Sequence, residues 1–180
     1  MVETEVTIEP FGRQHIELLI AWLARPHVAR WFGDPGDHVA WARSPPPGGS
    51  HAIIAVAGLP VGYLRWQRVC RETLNTLGLS EIPENSVDVD LFLGERSWLG
   101  KGIGPKALAL LLALLRDDAS IALVGVSTSV ENVSARRAFE KAGFRVSRQY
   151  SPPRFGACYL LLASLRREPP PKRRRPEAGA

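Results

Sequence analysis

The chain has 180 residues, 45% of them apolar, two cysteines and a formal net charge of +5, enough for one domain with a substantial core. Cys70 and Cys158 stand too far apart for a disulfide framework or a metal-ligand pair. The longest apolar run, residues 107–115, is well short of the roughly 18–20 residues that span a bilayer, and MVETEVTIEP at the N-terminus lacks the apolar stretch of a secretory signal, so a cytoplasmic protein with no membrane partner is expected.

Thr4, Val6 and Ile8 mark a first strand, and Ile16, Leu19, Ile20 and Leu23 recur at helical spacing over residues 14–24. Pro26 opens a second short helix to Phe32, ended by Gly33-Asp34-Pro35-Gly36. A loop with Pro45-Pro46-Pro47-Gly48-Gly49 leads to a hairpin of residues 51–57 and 61–69, turning at Gly58-Leu59-Pro60. An irregular acidic stretch follows. Residues 87–93 then read as a strand with Asp88, Asp90 and Phe92 on one face and Val87, Val89, Leu91 and Leu93 on the other. Beyond a glycine loop, a helix opening near Pro105 is apolar nearly all round, which predicts burial on every side. Residues 121–128 form a buried strand, 132–142 a helix closed by Gly143, and 144–150 and 156–165 two last strands across Ser151-Pro152-Pro153. One α/β domain over residues 1–165 is expected. Residues 166–180 hold six Arg or Lys against two Glu among prolines, a composition that predicts a disordered, solvated tail rather than a nucleic-acid site.

The glycine loop Leu99-Gly100-Lys101-Gly102-Ile103-Gly104 sits between strand and helix. Glycines at a helix start let backbone N–H groups close on an anion, and the helix dipole adds roughly half a positive charge there. Nucleoside-triphosphate binding would need Ser or Thr after Gly-Lys, where Gly102 stands. A dinucleotide site would need an acidic residue at the end of the next strand, which ends near Ser127. The pyrophosphate of coenzyme A is the third acceptor.

The glycine loop, the element order and the segment Asn132-Val133-Ser134-Ala135-Arg136-Arg137-Ala138-Phe139-Glu140-Lys141-Ala142-Gly143-Phe144 together resemble the GNAT acyltransferases over residues 4–165. The opening Trp22-Leu23-Ala24-Arg25-Pro26-His27-Val28-Ala29-Arg30-Trp31-Phe32-Gly33 is similar to the aminoglycoside 6′-N-acetyltransferases. It also resembles siderophore-type lysine acyltransferases. The resemblance implies a central, mostly antiparallel sheet flanked by helices, and acetyl transfer from acetyl-coenzyme A to an amine. It implies cofactor contacts from Leu91, Phe92, Leu93, the loop Leu99, Gly100, Lys101, Gly102, Ile103 and Gly104, and from Asn132, Ala135 and Phe139.

Aliphatic amines are mostly protonated near neutral pH, so a base must act before attack. The family position of that base falls on Asp90. Asp88, Glu72, Trp31 and Ser127 are the candidates for holding the acceptor. Six acids and no Lys or Arg lie between Arg71 and Arg96, a segment expected to attract a polycation such as an aminoglycoside. Two residues depart from the family pattern. Leu99 stands where Gln or Arg is usual, and Phe139 stands where a Tyr is proposed to protonate the departing thiolate. Either coenzyme A leaves as a thiolate, or another donor such as Tyr150, Tyr159 or Ser134 serves. The rival readings are acyl transfer to a hydroxylamine or lysine, and a coenzyme-A-binding regulatory module. Monomer and dimer both stay open.

Overall fold

The computed structural model describes residues 5–153 and 155–165. The tail expected to be disordered, residues 166–180, lies outside the described residues, as does Thr4. Seven strands form one sheet in the order β1-β2-β3-β4-β5-β7-β6. They are β1 (Val6–Pro10), β2 (Gly49–Val56), β3 (Leu59–Arg68), β4 (Val87–Leu93), β5 (Leu123–Ser129), β6 (Arg145–Tyr150) and β7 (Cys158–Ser164). Every neighbouring pair is antiparallel except β4 and β5. A parallel pair needs a crossover, and α5 (Ile103–Leu115) supplies it.

Helices cover both faces. On one face α5 and α6 (Val133–Lys141) pack Ile103, Leu108, Leu111 and Phe139 against Ile54, Leu64, Val89, Val124 and Leu161. On the other, α1 (Ile16–Leu23) and α2 (Pro26–Phe32) set Leu19, Trp22 and Val28 against Ile53, Ala55, Tyr63 and Phe92. Double coverage explains why Ala52, Ile53, Ile54, Ala55 and Val56 are all buried, a continuous run where a one-sided strand would alternate.

Four sequence expectations change. Asp34-Pro35-Gly36 does not only end a helix; it starts α3 (Pro35–Arg43), with the Asp34 carboxylate accepting from Gly36 N at 2.8 Å and Pro35 in the first turn. The acidic stretch contains a short helix, α4 (Arg71–Thr76), whose Leu74 packs with Leu79, Ile82 and Leu160. The β2–β3 hairpin turns at Ala57 and Gly58, both at positive φ, so Leu59 and Pro60 already belong to β3. Finally, α5 starts at Ile103 rather than Pro105 and is not buried all round, since Leu110 and Leu114 are 39% and 51% exposed. Its apolar composition hides an ordinary one-sided helix in which leucine also serves on the outer face.

Candidate active site

The site begins where the sheet opens. β4 and β5 pair only at Val87↔Val124 and Asp88↔Gly125 and then part. Val69 N donates to Ser86 O at the start of the β3–β4 ladder. Antiparallel bonding alternates from there, so Asp88, Asp90 and Phe92 exchange backbone bonds with β3; Val89 N–H serves the last β4–β5 rung, at Gly125, while Val89 C=O and the Leu91 N–H and C=O turn to the gap left by β5. A cavity of about 590 Å³ opens on this gap.

At the far end of β4 the chain enters α5 through glycines. Gly100 and Gly102 have φ of +74° and +77°, a conformation costly for other residues, and Gly102 is the N-terminal cap. Lys106 N makes an early helical bond, to Gly102 O at 3.3 Å. The N–H groups of Ile103 and Gly104 lie in the first turn, where no intrahelical acceptor exists. A Cβ on Gly100 or Gly102 would meet no protein atom within 4 Å, so these glycines keep open space in front of backbone donors. Lys101 Nζ is held 4.8 Å from the Trp98 ring centroid and adds a cation to the loop. The arrangement fits the pyrophosphate of coenzyme A. A Cβ on Gly104 would touch Leu91 and Ala138 at ordinary van der Waals distances, 3.7 and 3.9 Å, so packing alone does not demand glycine there.

The cavity brings together Trp31, Asp88, Asp90, Leu91, Ser127, Asn132, Ala135 and Phe139. The loop from Leu99 to Gly104 stands beside it at the head of α5 and is not part of its wall. The side chains of Phe92 and Leu93 are core; Phe92 sits among Trp22, Phe32 and Tyr63. Asn132 Oδ1 accepts from Ala135 N at 3.1 Å and so caps α6. Glu72 is exposed on α4, whose Thr73 and Leu74 face the cavity instead.

Two aspartates with different surroundings stand on β4. Asp90 lies directly across the ladder from Arg65 of β3. Arg65 Nε and Nη2 both donate to its Oδ2, at 2.7 and 2.5 Å. Oδ1 is left clear of that clamp. Arg65 in turn lies 5.0 Å from the Trp41 ring centroid, and Trp41 Nε1 donates to Gln67 Oε1 at 3.1 Å. Asp88 has no ion-pair partner among the described residues. It keeps an accessible edge at the cavity wall but is closely surrounded by protein. Burial, reinforced by the Asp90 charge and opposed by Arg65, pushes its carboxyl up to about 7.

The acidic segment expected to attract a cation is mostly engaged elsewhere. Glu81 pairs with Arg148, Glu95 accepts from Arg25 and Trp22, and Glu84 accepts from Arg71 N. Two cavity acids come instead from the unforeseen start of α3, Asp34 and Asp37, so among the described residues the lining holds four aspartates against one charged base, Arg65. Sequence reading missed Arg65 and Asp37. The strand pattern of Tyr63, Arg65 and Gln67, polar on one face, was a usable signal for the first.

A model of the acetyltransferase (GNAT) domain matches residues 12–151. The chain is similar to the aminoglycoside N(6′)-acetyltransferase type 1 of Klebsiella pneumoniae, 26% identical over 165 residues that cover 87% of this chain and 82% of the relative. It also resembles a kanamycin resistance protein of Rhizobium radiobacter, 34% identical over 73 residues, 41% of this chain and 68% of that one. Its fold superposes on the crystal structure of aminoglycoside acetyltransferase AAC(6′)-Ib in complex with coenzyme A and kanamycin, with a TM-score of 0.75 and 25% identity over 89% of this chain and 95% of the other. With its open β4–β5 gap, glycine-capped crossover helix and paired strand aspartates, the chain belongs to the GNAT acetyltransferase family.

Proposed function

We propose that this chain is an aminoglycoside 6′-N-acetyltransferase that uses acetyl-coenzyme A. The observation that carries the reading is the cavity at the β4–β5 gap, with four aspartates against one arginine among the described residues of its wall and an anion cradle beside it. A net negative, partly desolvated wall favours an acceptor bearing several ammonium groups. The 26% identical relative named for this activity adds support.

Acetyl-coenzyme A supplies an activated thioester when bound. The N–H groups at the head of α5 would hold its pyrophosphate, and the gap edge of β4, Val89 C=O with Leu91 N–H and C=O, would offer main-chain partners to the arm and a donor for the carbonyl oxygen. Trp31 and Trp41 wall the acceptor side, and Asp34 and Asp37 attract its remote amines. Asp90, oriented by Arg65 through Oδ2, presents Oδ1 to the reacting amine and accepts its proton. Asp88, with its raised affinity for protons, is where that proton rests near neutral pH.

Thiol release from acetyl-coenzyme A, measured with kanamycin or tobramycin, with hydroxylamine or lysine derivatives, and with no acceptor, tests the reading. Release is expected with the aminoglycosides, with the product acetylated at the 6′ amine. Release with hydroxylamines or lysine alone would place the chain with the siderophore-type enzymes. Coenzyme A binding with no release under any condition would leave a regulatory module.

A further inference from the structure

Phe139 leaves the departing thiol without the tyrosine that the family resemblance implies. Phe139 lines the cavity, but its ring packs edge-on against Phe144 and has no proton to give. The hydroxyls near the gap differ in what they can do. Ser134 is exposed on α6 and outside the cavity wall. Tyr159 packs against the α5-side core with Arg136 over its ring, also off the wall. Ser86 donates to Pro83 O at 2.7 Å, and Ser129 Oγ accepts from Glu131 N in a turn.

Ser127 and Tyr150 are placed differently. Both line the cavity, and their oxygens are 2.5 Å apart. Ser127 follows Gly125 by two residues on β5, about 7 Å further along the strand on the same face, and Gly125 is the last residue paired with β4, opposite Asp88. The hydroxyl pair therefore sits on the β5 lip of the gap, just past the point of parting, with β4's Asp90 and Leu91 on the other lip.

We propose that the Ser127–Tyr150 hydroxyl pair donates the proton to the leaving thiol, taking over the role that Phe139 cannot fill. The proposal rests on the acetyl-coenzyme A reading above. As the amine nitrogen bonds to the acetyl carbon, the C–S bond breaks and its electron pair stays on sulfur. A hydroxyl of the pair gives that sulfur a proton. The proton lost by the amine to the Asp90–Asp88 carboxylates returns to the hydroxyl, so amide and thiol leave and the protein ends unchanged. Charged and titratable groups around Tyr150 agree with a hydroxyl kept in its protonated, donating form. Burial raises its pKa first, Asp88 and Cys158 raise it further, and Ser127 and the Arg148 guanidinium, 5.4 Å from its ring centroid, oppose.

The test is a titration of the thiol of coenzyme A bound to the full chain, followed by thiolate absorbance, in the wild type, Tyr150→Phe and Ser127→Ala. A hydroxyl that donates to sulfur favours the thiolate, so the bound thiol of the wild type is expected to titrate about one pH unit below that of Tyr150→Phe, with Ser127→Ala between them. Turnover with kanamycin is expected to fall about 10–100-fold in Tyr150→Phe with unchanged coenzyme A affinity. Equal thiol titrations in wild type and Tyr150→Phe overturn the proposal. The titration needs no acceptor, so an error in the acceptor's identity cannot mimic that failure. Failure of the wild type to bind coenzyme A in calorimetry would instead overturn the donor reading, and this proposal with it.

Discussion

The donor side and the acceptor side of the cavity are built on opposite plans. The donor side is one continuous piece of chain, β4, the glycine loop and α5, and it offers mainly main-chain N–H and C=O groups. The acceptor side is assembled from Trp31 of α2, Asp37 and Trp41 of α3, Arg65 of β3, and Asp88 and Asp90 of β4, and it offers side chains. A backbone cradle tolerates exchange of the residues that carry it, which is why Leu99 can stand where Gln or Arg is usual. A side-chain wall changes with every substitution, so acceptor choice can diverge while donor use stays fixed.

Variants on the two sides should therefore separate cleanly in their kinetics. Asp90→Asn has the largest expected effect: kcat lower by about 10²–10⁴-fold with the acetyl-coenzyme A KM unchanged, measured by thiol release. Asp88→Asn should lower kcat less, by about 10-fold, and abolish the rise in rate as pH passes through about 7. It should also stabilise the fold. The folded carboxyl holds its proton more tightly than the unfolded one, so the wild type loses stability as pH rises between the usual carboxylate range and about 7. The Tm advantage of Asp88→Asn should be absent near pH 3, grow through that window and level off above it, as read by calorimetry.

Gly102→Val tests the donor side alone. A β-branched residue at φ +77° is strained and fills the space in front of the loop, so the acetyl-coenzyme A KM should rise by about 10-fold or more with the acceptor KM nearly constant. Asp37→Asn is the converse, a several-fold rise in aminoglycoside KM that shrinks at high salt, with the donor KM unaltered. The smallest change is expected from deleting residues 167–180, since every residue assigned to the site precedes Leu165; kcat/KM and Tm should both stay at wild-type values.

How much of this was readable in advance follows the same division. The glycine loop and the faces of β4 are local, so residue order along a few positions is enough to read them. Arg65 and Asp90 meet only through the β3–β4 register, across a connection of 18 residues from Val69 to Ser86. Alternation alone does not set the register of strands so connected. Helix α3 was hidden because Asp34-Pro35-Gly36 serves equally as a stop for α2 and a start for α3. With it were hidden Asp37 and the reason Trp41 reaches Arg65. The charge of the acidic segment was plain, but its direction depended on the distant Arg148 and Arg25, which draw Glu81 and Glu95 away from the cavity.

The two-rung seam between β4 and β5 makes the sheet a pair of antiparallel blocks, β1–β4 and β5–β7–β6, joined through the sheet by two residue pairs and beneath it by the core that α5 and α6 pack on both. In native-state hydrogen exchange the Leu91 amide, lodged in a strand yet facing no neighbour, should exchange far ahead of the Asp90 amide beside it. A ligand that fills the seam would slow that exchange, by an amount that grows with ligand concentration.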